Sequence, residues 1–308
     1  MCSLIFISTI SIPAQSSAYT YPFSKSYYIQ TTNSTTIYNK GYNLPNQAGI
    51  VILFFGCPEI RNGVYGTKMV GTSTFVSTTQ IANVVNNFMN GYNANSSHTQ
   101  LIKIAVATSN YQSSYAPTAT TISTHGKNWV QMIEGITVSG KVTYIEGAND
   151  MELGWASPSY TKSWVNAFNS NRTKSTFLYN FGDNAGSYDI ITPYGVYTSR
   201  YTDNRGFSPW TTSDVYDISY GISCCYAMPQ IYYDTSTSGY ANQPNQWYHV
   251  ALWAYNNNKS MNFAGLVSQD GMSGQLTADA AYASFRNELS KDTRTAQSGF
   301  GYPTVLGY

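Results

Sequence analysis

Uninterrupted apolar runs alternate along this chain with segments whose apolar positions recur every three or four residues. The first run, "GIVILFFG" (Gly49 to Gly56), closes on Gly, Cys and Pro and reads as a strand covered on both faces. The next segment aligns Ile81, Val84, Val85, Phe88, Met89 and Tyr92 on one face and opens with "STTQ" (Ser77 to Gln80), a capping box heading an amphipathic helix. The unit then repeats. "LIKIAVATSN" (Leu101 to Asn110) is a second buried strand, with a helix marked by Trp129, Met132, Ile133 and Ile136. "KVTYIEGANDMEL" (Lys141 to Leu153) is a third, followed by a helix bearing Tyr160, Trp164, Val165 and Phe168. "TFLYNFG" (Thr176 to Gly182) is a fourth, after which a long polar insertion runs to about Ser213. "DVYDISYG" (Asp214 to Gly221), "AMPQIYY" (Ala227 to Tyr233) and "MNFAGLVSQD" (Met261 to Asp270) read as three more strands, and helices over Pro244 to Asn256 and Thr277 to Leu289 follow the last two.

Alternating strands and helices call for right-handed crossovers and a parallel sheet, either open and doubly wound or closed. Seven or eight units in about 250 residues match an α/β fold of the (β/α)8 type, a TIM-like barrel with one irregular or missing unit. No G-x-G-x-x-G or G-x-x-x-x-G-K-[ST] follows any strand, which disfavours a nucleotide-dependent oxidoreductase on an open sheet, and no cofactor is expected. The expected organisation is a barrel over 49–290, an extended lead over 19–48, and a tail over 291–308 that packs on the barrel or on a neighbour. The first residues, "MCSLIFISTISIPAQSSAYT", place an apolar stretch from Leu4 to Ile12 before Ala14, Ser16 and Ala18, the pattern of a signal peptide over 1–18. They lack a leading Lys or Arg, and a misplaced start or a buried N-terminal strand would use the same residues. No other apolar run approaches the roughly eighteen residues a membrane span needs, so an exported protein, secreted or at the cell surface, is expected.

Composition narrows the partners. With 16 Lys+Arg against 15 Asp+Glu and only 10% charged residues, there is no electrostatic case for nucleic acid or an anionic membrane surface. Hydroxyls, amides and 28 Tyr supply the polarity instead, a surface suited to hydrogen bonding and stacking with carbohydrate, or equally to a soluble coat protein. Three scattered histidines, His98, His125 and His249, and the lack of any C-x-x-C argue against a metal; at such positions histidines are surface or helix residues. Once Cys2 leaves with a signal peptide, Cys57, Cys224 and Cys225 form an odd set, in which Cys57 bridges one of the adjacent pair or the pair bridges itself. Asn33, Asn95, Asn171 and Asn258 each head an N-x-S/T sequon, relevant only in a host that glycosylates.

The stretch "EGANDMELGW" (Glu146 to Trp155) puts three carboxylates within seven positions of this weakly charged chain. In a (β/α)8 barrel, catalytic groups come from the C-terminal strand ends, where Asp150 and Glu152 fall. Two apart on a strand, they face the same side with Cβ atoms roughly 6 to 7 Å apart, close enough to divide acid and base work. Capping or a salt bridge at the barrel rim would use the same pair. Glu146 shares their parity but sits deeper, and Gly147-Ala148 is able to break the alternation. Trp155, Tyr179, Asn180, Tyr220, Gln230, Tyr232, Gln269 and Asp270 lie at or near strand ends and are candidates to line a sugar site. Glu59 reads as a loop charge answered by Arg61, and Asp217, inside a strand, takes a minor role.

"YIEGANDMELGW", after a buried strand and before a Ser-Pro helix start, resembles the D-x-E strand end of secreted glycoside hydrolases of the lysozyme-like muramidase family 25 and, less closely, of the family 18 chitinases. The order of strands from Gly49 to Asp270 is also similar to those barrels. Of the chitinase D-x-x-D-x-D-x-E only Asp150 and Glu152 match, which leaves survival of hydrolysis open. The resemblance implies Glu152 as general acid and Asp150 as the group that orients a substrate N-acetyl group or stabilises developing positive charge. The function expected is an exported glycoside hydrolase acting on an N-acetylhexosamine-containing polysaccharide. The alternative is an inactive barrel serving as a carbohydrate-binding or self-assembling surface protein, since a near-neutral surface gives little colloidal repulsion.

Overall fold

The computed structural model describes residues 21–184, 191–192, 195–196, 210–234, 242–269, 274–297 and 300–307. Its centre is a set of eight parallel strands in chain order: β1 (Ser24–Tyr28), β2 (Gly49–Phe54), β3 (Ile102–Ser109), β4 (Val142–Asp150), β5 (Leu178–Asn180), β6 (Cys225–Ala227), β7 (Leu266–Gln269) and β8 (Pro303–Gly307). Each pairs with its sequence neighbour and β8 returns to β1. Between β6 and β7 the circle is completed by parallel bridges at Ala227–Phe263 and Gln230–Val267, with Val267 N donating to Pro229 O at 2.8 Å and Ile231 N to Val267 O at 2.9 Å. Helices α1 (Ser34–Tyr42), α2 (Thr78–Ala94), α3 (Ala119–Gly135), α4 (Pro158–Ser170), α5 (Thr212–Tyr216), α6 (Gln243–Asn256) and α7 (Ala278–Leu289) fill the connections. This is the (β/α)8 fold expected from the alternation of runs, closed rather than open.

The uninterrupted apolar strands follow from having two covered faces. On β2, Ile52 and Phe54 point into the barrel beside Ala105, Ala107, Ala148, Phe181, Met228 and Val267, while Val51 and Leu53 pack outward with helix residues such as Phe88, Trp129 and Phe168. Helix starts are set by side chains: Ser77 and Gln80 form the expected capping box, and Thr118 and Ser157 cap α3 and α4. Above β2 the chain inserts a three-stranded antiparallel sheet, Cys57–Arg61, Val64–Lys68 and Phe75–Ser77, whose first hairpin turns on Asn62 and Gly63 at φ 51° and 77°. His125 on α3 fastens it. Its Nε2 donates to Gly66 O at 2.8 Å and its Nδ1 accepts from Trp164 Nε1 at 3.0 Å, a pairing that suits only the neutral ring. Burial accordingly holds His125 down at about 4.

Several expectations change. The lead and the tail belong to the barrel: residues 24–28 are β1, 34–42 are α1 and 303–307 are β8. "DVYDISYG" is not a strand. Thr211 Oγ1 accepts from Asp214 N while the Asp214 carboxylate accepts from Thr211 N, and this capping box starts α5, which runs into a π-helical turn over Asp217–Gly221 closed by Ile222 N on Asp217 O at 2.9 Å. The sixth strand comes afterwards, at Cys225. Neither proposed disulfide forms: all three described cysteines are free, with Cys57 beyond the C-terminal end of β2 and Cys225 opening β6 at the other end of the barrel. The Cys224 and Cys225 sulfurs lie 3.7 Å apart, well outside bonding distance. Of the histidines expected at the surface or on helices, His125 and His249 lie on α3 and α6 and His98 on neither, and all three are buried. Residues 1–20, with the signal-peptide expectation, lie outside the described residues, among which no helix is long and apolar enough to cross a membrane.

Candidate active site at the C-terminal mouth

Alternation along β4 turns Ala148 and then Asp150 into the barrel. Asp150 is 6% exposed, and its Oδ1 accepts from Gln230 Nε2 of the strand extension beyond β6 at 3.0 Å. Glu152, two residues on, accepts at Oε1 from Asp183 N at 3.4 Å. Burial, with the neighbouring charge of Asp183, lifts Asp150 to about 8, against the Gln230 hydrogen bond that lowers it. Glu152 is pushed well above the usual carboxylate range, first by burial and then by the charges of Asp150 and Asp183. Both acids therefore favour the protonated form near neutrality. Tyr232 closes the group: burial holds its phenol up, and the charges of Tyr28, Asp150 and Glu152 add to the effect.

The acids are held by backbone scaffolding. Asn110, just past β3, clamps the segment after β4: its Oδ1 accepts from Glu152 N at 3.1 Å, and its Nδ2 donates to Glu152 O at 3.0 Å and to Thr161 Oγ1 at 3.1 Å. Gln243 Oε1 accepts from the Tyr232 and Tyr233 amides and fixes that strand end. Asn180 Oδ1 accepts from Gly182 N at 3.0 Å and shapes the turn that presents Asp183. Gly182 itself passes so close to β4 that a Cβ there would sit 2.3 Å from Met151 O. Gly182→Ala is expected to push Met151 and with it Glu152 aside, at a cost of about 1–3 kcal/mol. A urea midpoint unchanged from that of the native protein would contradict this contact.

The structure brings Asp150, Glu152, Gln230 and Tyr232 together, with Trp155 half-buried at the rim edge-to-face with Tyr111 at 6.1 Å. Gln269 ends β7 and accepts from Gln275 Nε2 at 3.2 Å, and Asp270 lies outside the described residues. Three candidates are placed elsewhere. Tyr179 lies within the barrel, its phenol held up by burial and by the charges of Glu146 and Tyr226. Asn180 faces outward, where its Nδ2 donates to Ser219 Oγ at 2.8 Å. Tyr220 lies on the π-helical turn that leads into β6, at the opposite end of the barrel, and its hydroxyl meets Asn262 Nδ2 at 3.1 Å. Glu146 is likewise deep, accepting from Phe177 N, and burial raises it to about 7 against that hydrogen bond and the charges of Lys103 and Arg172. Glu59 is buried with Arg61 at 2.7 Å, and Asp217 pairs with Lys162 at 2.7 Å.

Sequence reasoning missed Asp183, Tyr28 and Asn110. Asp183 continues the parity of Tyr179 and Phe181 past β5, but a strand of three residues makes that signal much weaker than the one at Asp150. Asn110 stands one residue past β3, where a short amide reaches the neighbouring strand's exit. Among the described residues no cluster of three or more His, Cys, Asp or Glu is placed to hold a metal.

No protein-family model matches the chain, and no curated protein matches it. Among solved structures the barrel is similar to a sugar phosphate isomerase/epimerase from Parabacteroides distasonis, at 12% identity and a TM-score of 0.41 over 94% of this chain and 91% of that one. None of these comparisons supports the likeness to family 25 muramidases or family 18 chitinases.

Proposed function

We propose that this chain is an exported glycoside hydrolase that cleaves a polysaccharide containing N-acetylhexosamine. The observation that carries the reading is the place of Glu152 at the barrel mouth beside Asp150 and Asp183, where burial and those two charges raise its hold on a proton. An acid in that condition at neutral pH is equipped to protonate a glycosidic oxygen as the bond breaks. Asp150, two residues earlier at the end of β4 and held by Gln230, supplies the second carboxyl, which orients an N-acetyl group while protonated and, on ionising, offsets the positive charge developing on the sugar ring. Tyr232 and Gln230 provide the hydroxyl and amide that fix the sugar. The steps assigned to this chain's residues need no cofactor.

The test is release of soluble sugar by the folded protein from chitin and from peptidoglycan. Reducing ends are expected from at least one of them. No release from either substrate shifts the reading to a barrel kept for glycan binding or assembly, with its acids in place and no turnover.

A further inference from the structure

Beside the acids, the C-terminal face carries an aromatic surface that bond cleavage itself does not use. The inserted sheet contributes Arg61 and Phe75, and the loop between β3 and α3 contributes Tyr111 and Tyr115. The Arg61 guanidinium lies 5.3 Å from the centre of the Phe75 ring and 4.9 Å from that of Tyr115. Its charge is answered by Glu59 at 2.7 Å. Tyr115 is 50% exposed and Tyr111 39%. Tyr111 in turn meets Trp155, whose backbone N donates to the backbone O of Glu152 at 3.1 Å, in the turn that carries the acid.

The row is also fixed in place. Ser113 Oγ donates to Pro58 O at 3.2 Å and joins loop to sheet, while Gln112 N donates to Trp155 O at 3.1 Å and joins it to the segment after β4. His125 and Thr67 hold the sheet to the barrel through Gly66 O and Phe55 O. Large rings kept exposed on a rigid support lose little freedom when a ligand covers them.

We propose that Arg61, Phe75, Tyr115, Tyr111 and Trp155 form a rail that binds an extended, uncharged glycan and feeds it to Glu152. The inference rests on the hydrolase reading for the identity of the sugar and for the direction in which the chain runs. Adjacent strands lie about 4.8 Å apart, so the tops of β2 and β4 are separated by about 10 Å before side chains are counted, more than a single sugar ring fills. Aromatic faces pack against the C–H faces of pyranose rings, and the guanidinium supplies donors to their hydroxyls. Because Glu59 already matches Arg61, the rail carries no surplus positive charge to recruit a polyanion.

The experiment is calorimetric titration of the Glu152→Gln protein with the dimer and the hexamer of β-1,4-linked N-acetylglucosamine, and with polygalacturonate as an anionic chain. The hexamer is expected to bind more tightly than the dimer, and polygalacturonate not at all. Tyr115→Ala in the same background is expected to weaken hexamer binding about 3- to 10-fold, while Tyr115→Phe, which keeps the ring, restores it. The ring is half-exposed, so its removal leaves the core intact. The rail is overturned by equal affinity for dimer and hexamer, by no binding of either, by indifference to Tyr115→Ala, or by preference for polygalacturonate. Length-dependent binding through Tyr115 in a protein that never releases sugar would leave the rail standing without the hydrolase. Sugar release without length dependence would leave the hydrolase standing without the rail.

Discussion

Replacing Glu152 by Gln is expected to lower the rate of glycosidic cleavage by about 10²–10⁴-fold, the usual worth of a positioned general acid. The substitution is close to isosteric. A Gln oxygen can still accept from Asp183 N, and the backbone contacts to Asn110 do not involve the side chain, so the loop keeps its shape. Only the transferable proton is lost. Two signatures separate this from general damage to the site. A substrate with an activated phenolate leaving group needs little protonation and should lose much less rate than an unactivated one. On the hydrolase reading, the native protein should also be active while the Glu152 proton is retained and lose activity as pH rises through its elevated value. Asp150→Asn removes one of the two charges holding that proton, so the surviving alkaline limb should move to lower pH. Equal losses on activated and unactivated substrates would falsify the acid assignment.

The acid pair was legible because β4 is long and ends at Asp150, which puts the pair at a strand exit. Its partner Asp183 was not, because β5 is three residues long and leaves through Gly182, and so short a strand gives parity little to build on. The first and last strands were hidden for another reason. Ser24, Ser26 and Thr304 face one another between β1 and β8: Ser26 Oγ and Thr304 Oγ1 are 2.6 Å apart, Ser24 Oγ donates to Ile50 O at 2.6 Å, and Thr304 Oγ1 to Ser24 O at 3.1 Å. Hydroxyls that satisfy each other can occupy a barrel interior, and a search for apolar runs passes over them. The opposite error arose at Asp214–Gly221, where alternating apolar residues outweighed the Thr211–Asp214 capping box that decides the local structure.

The stability of the protein is expected to fall as pH rises from about 6.5 to 8, and Asp150→Asn should remove much of that fall. The folded chain holds the Asp150 proton up to about 8, against 3.8 for the free group. The stabilisation from that retained proton is complete below about pH 4 and lost progressively up to about 8. Glu152 acts in the same direction, as does Glu146, raised from 4.5 to about 7. His125 acts oppositely. Its buried neutral ring stabilises the fold above 6.5, and this is lost as pH falls toward about 4. Between these limits the histidine offsets part of the acids' slope; above 6.5 nothing from it remains to do so. At about 1.4 kcal/mol for each tenfold change in proton affinity, the displacement of Asp150 corresponds to several kcal/mol. Asn keeps an oxygen for Gln230 Nε2 and has no proton to lose, so the variant should match the native protein near pH 4 and exceed it by several kcal/mol at pH 8. Urea midpoints at the two pH values decide the matter. A constant offset between the two proteins at both would mean that Asp150 is ionised in the folded state, and the proton economy assigned to this site would be wrong. A variant that is more stable at pH 8 and yet catalytically impaired would show that the barrel mouth holds an acid cluster at a cost to its own stability, the pattern expected where activity rather than folding fixes the residues.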